Sequence, residues 1–161
     1  MIERLKEELK AQEEARIAGE KIAEESLIEF IKDKEYYDGG KPNIIVDLDG
    51  TLAFYDSWKG IDHIGDPLPG AQEFIEALSV KYNVIIFTTR TSTTVNKVES
   101  HMHLQLVTKI VTWLSENGFK HCAVWAGEGK PIGEYYIDDR AVSCAPQKDP
   151  DAYWKVLELV K

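Results

Sequence analysis

Asn43-Ile44-Ile45-Val46-Asp47-Leu48-Asp49-Gly50-Thr51-Leu52 is the stretch whose reading decides the fold. Lys41-Pro42 precedes it, and an apolar run of strand length then ends in two acids and a glycine. A short run without polar alternation is the pattern of a strand buried on both faces. Two carboxylates one residue apart at its end cannot be core, because unpaired buried acids are costly. The pair either closes the strand as a solvated acidic turn or faces a cation, and Gly50 lets the chain turn away.

Working outward, Leu68 to Leu78 begins with Pro69 near a helix N-terminus and places Phe74, Ile75 and Leu78 on one predicted face. Val84-Ile85-Ile86-Phe87 is a second buried strand, ending in Thr88-Thr89-Arg90. Val95, Val98, Met102, Leu106, Ile110, Trp113 and Leu114 keep helical spacing up to Asn117-Gly118, a C-terminal stop. Cys122 to Ala126 and Tyr135 to Asp138 are read as further strands, and Tyr153 to Val160 as a last helix. This alternation predicts an α/β fold with a doubly wound, Rossmann-like parallel sheet over residues 41–161. Asp47/Asp49, Thr88/Arg90 and Asp138/Asp139 all fall at carboxyl ends of strands, where such sheets place their ligand crevice.

The chain has 161 residues, 43% hydrophobic and 29% charged, enough to bury a core without staples. Residues 1–40 lack proline and are rich in Glu, Lys, Ala and Leu, which predicts an additional N-terminal helical segment. Its apolar stripe falters between Gln12 and Arg16, so one long helix or two helices broken near Gly19 both fit, with a homo-oligomer through this segment as an expectation. No apolar run approaches the ~20 residues of a membrane span. Two cysteines and no amino-terminal hydrophobic signal give the expectation of a reducing, cytoplasmic location. The net charge of -9 disfavours a nucleic-acid surface, and a small phosphorylated substrate leads.

Hard oxygen ligands without His or Cys favour Mg²⁺, which takes one or two carboxylates, waters and a substrate phosphate. Thr88 and Lys130 add a hydroxyl and an ammonium suited to phosphate oxygens. His101 and His103, two apart on a predicted helix, share no face, and His121, Cys122 and Cys144 lack zinc spacing. The stretch from Tyr55 to Gly70, with Trp58 and His63, is either a flap over the site or a plain surface loop.

Asp47-x-Asp49-Gly50-Thr51, then Thr88, then Lys130, then Asp138-Asp139, in that order, resembles the haloacid dehalogenase superfamily of phosphatases. Thr88-Thr89-Arg90 with Tyr136-Ile137-Asp138-Asp139-Arg140 also looks like the phosphatase domain of polynucleotide kinases and small capless relatives. The resemblance covers residues 43 to about 145. It implies that Asp47 is the nucleophile and Asp49 the general acid/base, with an aspartyl-phosphate intermediate. It further implies that Thr88 and Lys130 hold the phosphoryl group. Arg90, at the end of the second strand, either contacts phosphate or substrate or pairs with a neighbouring acid. Asp47, Asp49, Asp138 and Asp139 would surround Mg²⁺, Asp138 being the direct ligand of the last two. Asp49 to Thr88 leaves room for one loop and one helix, and Thr88 to Lys130 for one helix and one strand, so no cap domain is expected.

The function expected is thus hydrolysis of a small phosphomonoester, a metabolite or nucleotide. A nucleic-acid end phosphatase is the alternative within the same chemistry. A receiver-like or non-catalytic Mg²⁺- and phosphate-binding module is the alternative of another class. Receivers place the acidic pair first and the lone acceptor last, the reverse of the order found here.

Overall fold

A computed structural model describes residues 40–127 and 129–160. The predicted N-terminal helical segment therefore lies outside the described residues. The elements are β1 (Asn43–Val46), α1 (Ala71–Ser79), β2 (Asn83–Ile86), α2 (Thr93–Asn96), α3 (His103–Glu116), β3 (Cys122–Val124), β4 (Tyr135–Ile137) and α4 (Ala152–Leu159). Short 3₁₀ turns at Thr89–Thr91 and Ser100–Met102 flank α2.

The strands form one all-parallel sheet in the order β3-β2-β1-β4, an α/β fold. Ile44, Val46, Val84, Ile86, Cys122 and Val124 join Ile75 of α1 and Val107, Ile110 and Leu114 of α3 in one apolar cluster. Ile45, Ile85 and Ala123, which alternate with them, are also buried, so β1, β2 and β3 are covered on both faces, as parallel strands require. Gly133 lies against Ile45 with no room for a side chain: a Cβ there would come 2.5 Å from Ile45 Cγ1.

The chain steps from β1 through β2 to β3 on one side, then places β4 on the other side of β1. Connections that diverge in this way open a crevice beyond the carboxyl ends of the strands. Register aligns those ends: Val46 faces Ile86 in β2 and Ile137 in β4. The ladder continues one step further, with Asp47 N–H donating to Ile137 O at 2.9 Å and Phe87 N–H to Val46 O at 2.9 Å.

Two expectations are corrected. The helix predicted to run unbroken from Val95 is interrupted, because Lys97 turns left-handed (φ 54°) and α3 starts only at His103. Asn96 explains the break: its side-chain amide donates to Ser92 O at 2.7 Å and Arg90 O at 2.9 Å, tying α2 to the loop after β2. Phe74, placed on the apolar face of the first helix by spacing, is exposed, while Ile75 beside it is fully buried.

Candidate functional site

Strand alternation sets the first acids. Leu48 points into the core with no exposed surface, so its neighbours Asp47 and Asp49 emerge on the other side of the chain. Leu48 O accepts from Leu52 and Ala53 N–H at 2.9 Å each, and Gly50 N–H donates to Ala53 O at 2.8 Å, which folds the chain tightly after Asp49. Gly50 is needed there twice over. Its φ is +83°, and a Cβ would fall 2.5 Å from Asp139 Oδ2.

Carboxylate oxygens of Asp47, Asp138 and Asp139 all lie within 4.8 Å of one another. Asp139 is steadied by its N–H, which donates to Thr51 Oγ1 at 3.1 Å, and Asp138 Oδ1 accepts from Arg140 N–H at 2.7 Å. Burial pushes Asp47 up from 3.8 to about 6. The Leu48 backbone amide opposes this rise, and the charges of Asp138, Asp49 and Asp139 add to it. A hard divalent cation would relieve that crowding, and three converging carboxylates are a donor set it accepts, so the residues present fit Mg²⁺.

Asp49 belongs to a different arrangement from the one expected. Its two oxygens are taken by Arg90, Nε to Oδ2 at 2.7 Å and Nη2 to Oδ1 at 2.9 Å, a bidentate pair with Arg90 only 5% exposed. Asp49 therefore stands outside the carboxylate cluster, and of the two readings of Arg90 the structure shows the pairing with an acid, Asp49. Trp58 covers that pair, its ring 5.0 Å from Arg90 Cζ. The rest of its loop is fastened to α3 by Trp113 Nε1–H to Gly65 O at 3.1 Å and by Lys109 on Asp62. Arg90 Nη1 is buried without a hydrogen-bond partner among the described residues.

Lys130 is not placed on the cluster either. Gly129 turns left-handed before it and Pro131 after it is fully buried, and the ammonium rests 3.9 Å from the centre of the Tyr136 ring. Tyr136 in turn donates its hydroxyl to Pro131 O.

Asp47, Asp138 and Thr88 line a cleft of about 840 Å³. His103, which sequence spacing gave no role, lines it too. Its Nδ1 is 2.9 Å from Thr91 O and its Nε2 2.9 Å from Ala126 O, so the ring sits between the loop after β2 and the loop after β3 and donates to one of the two carbonyls when neutral. No local signal marks such a residue, because its partners are backbone carbonyls 12 and 23 positions away.

Neither a protein-family model nor a curated protein sequence matches this chain. One solved structure, an MCSG target from Vibrio cholerae, aligns with a TM-score of 0.40 and 24% identity, over 71% of this chain and 98% of that one. No described helix is long and apolar enough to cross a membrane.

Proposed function

We propose that the chain is a Mg²⁺-dependent phosphomonoesterase with a capless, haloacid dehalogenase-like doubly wound fold. One observation carries the reading: Asp47, Asp138 and Asp139 converge within 4.8 Å at the ends of two neighbouring parallel strands. Thr88 follows β2, which pairs with β1 on the side away from β4, and lines the same cleft. Mg²⁺ when bound would screen the acids and the phosphate dianion from one another.

Asp47 attacks phosphorus, forming the acyl-phosphate bond as the bond to the leaving oxygen breaks. The Thr88 hydroxyl offers a contact to a phosphoryl oxygen. Asp49 supplies a proton to the leaving oxygen and later takes one from the water that hydrolyses the acyl phosphate. Each Asp49 oxygen accepts one N–H from Arg90 and keeps a second lone pair, on which the proton would be carried. In this reading Arg90 positions the acid, and Lys130 reaches phosphate only by leaving the Tyr136 ring.

The test is turnover of phenyl phosphate by the full chain with Mg²⁺, with excess chelator, and after Mg²⁺ is restored. Activity should vanish and return, and Asp47→Asn should abolish it. Full activity in chelator would overturn the metal assignment, and activity in Asp47→Asn would overturn the nucleophile.

A further inference from the structure

We infer that the cleft beside Asp47 holds the neutral, polyhydroxylated body of the substrate, that of a sugar phosphate; this rests on the phosphomonoesterase reading above. The cleft, about 840 Å³, is far larger than a phosphoryl group needs and falls in the ~300–1,000 Å³ range of small-molecule sites. Its chemistry comes from an unusual run, Thr88 to Ser100, in which seven of thirteen residues are Ser or Thr, all seven lining the cleft.

These hydroxyls divide into two sets. Three shape the loop itself: Thr88 Oγ1 accepts from Arg90 N–H at 3.3 Å, Thr91 Oγ1 donates to Thr88 O at 3.1 Å, and Ser92 Oγ accepts from Val95 N–H at 3.2 Å. The other four, on Thr89, Thr93, Thr94 and Ser100, have no hydrogen-bond partner among the described residues. Each is both a donor and an acceptor, the complement of a substrate hydroxyl.

Trp125 stands on the other wall. Its Nε1–H donates to Gly129 O at 3.1 Å, and Gly127 packs so closely that a Cβ would lie 2.6 Å from its Cζ2. The indole is thus braced, offering a fixed apolar surface for the C–H face of a sugar ring. His103 lies between the two walls, its ring nitrogens each 2.9 Å from a backbone carbonyl, Thr91 O and Ala126 O, and when neutral it donates to one of them. Beyond Asp47 and Asp138, no Lys, Arg, Asp or Glu lines it among the described residues. Away from the Asp47 and Asp138 end, a polyanionic strand or a nucleoside polyphosphate would find no Lys or Arg among the described residues lining the cleft, whereas an uncharged polyol would find hydroxyl partners.

The experiment compares kcat/KM of the full chain with Mg²⁺ for glucose 6-phosphate, n-butyl phosphate, phenyl phosphate and AMP. It is repeated on the double variant Thr93→Val with Thr94→Val and on Trp125→Leu. These threonines are not in the core, and valine keeps their shape. Glucose 6-phosphate should lead n-butyl phosphate by at least about tenfold. The threonine pair should cost about tenfold on it, carried in KM, with less than about twofold change on n-butyl phosphate, the size expected for two lost neutral hydrogen bonds. Trp125→Leu should likewise cost more on glucose 6-phosphate than on n-butyl phosphate. Turnover of all four esters at similar rates, equal losses on both alkyl and sugar esters, or AMP leading without sensitivity to the threonines would each overturn the inference and leave the phosphomonoesterase reading standing. Absence of turnover on every ester would overturn that reading and this inference with it.

Discussion

Replacing the proposed nucleophile should make the metal-free protein more stable. Asp47 is half-buried among three other carboxylates, and its titration is raised from 3.8 to about 6. The native state therefore binds this proton more tightly than the unfolded chain does. Well below 3.8 the group is protonated in both states and costs nothing; as pH rises from 3.8 through about 6 the unfolded chain ionises it before the native state does, and stability is lost. The rise corresponds to about 3 kcal/mol at about 1.4 kcal/mol per pKa unit, and partial exposure to solvent reduces this to about 1–2 kcal/mol. Asn has the same shape and can still accept from the Leu48 amide. Asp47→Asn in chelator at pH 8 should then raise the midpoint of thermal unfolding by about 2–8 °C, using about 2–4 °C per kcal/mol for a chain of this size. At pH 4 most of the gain should disappear. Saturating Mg²⁺ should reverse the ranking, since a ligand at 100 times its Kd adds about 2.7 kcal/mol to the form that binds it. Unfolding scans at both pH values, with and without Mg²⁺, make the measurement. A variant no more stable than wild type at pH 8, or a gain of equal size at pH 4, would refute the reasoning.

Asp49→Asn should slow acyl-phosphate formation far more on an alkyl phosphate than on nitrophenyl phosphate, whose leaving group needs little protonation; single-turnover rates on the two esters make the comparison. Arg90→Met should cost about 2–4 kcal/mol in urea unfolding, because it strands the Asp49 carboxylate beneath Trp58 without its partner. Gly50→Ala should weaken Mg²⁺ binding at least about tenfold by calorimetry, since the new Cβ displaces Asp139 and the backbone there is left-handed, at about 1–2 kcal/mol.

Apolar runs made β1, β2 and β3 legible, because burial on both sheet faces leaves a signal in every residue of Ile44–Val46 and Val84–Ile86. Their ends were legible for the same reason: an acid or a threonine after such a run has to face solvent or a ligand. The grouping of Asp47 with Asp138 and Asp139 follows from that placement once β4 is registered on β1. What could not be read was pairing between distant side chains. Arg90 and Asp49 are 41 positions apart, and nothing in either neighbourhood marks them as partners. Asn96 hid its effect in the same way, since an asparagine inside an apolar helical stripe reads as a tolerated polar residue until its amide is seen on three carbonyls.

β4 is an edge strand of the sheet, paired only with β1 among the described residues, and it exposes Tyr135 and Tyr136 where β1 and β2 are sealed. Two of the three clustered acids follow this least buried strand. Such a segment opens at lower free energy than the core it leans on, so the cluster can come apart while the apolar cluster stays intact. A cation bridging Asp47 and Asp138 would then fasten a loose edge to the middle of the molecule, and its binding would protect the β4 amides from hydrogen exchange far more than those of β2. By the same coupling, substitutions in β4 that touch no ligand would weaken the grip on the cation by as much as they loosen the strand.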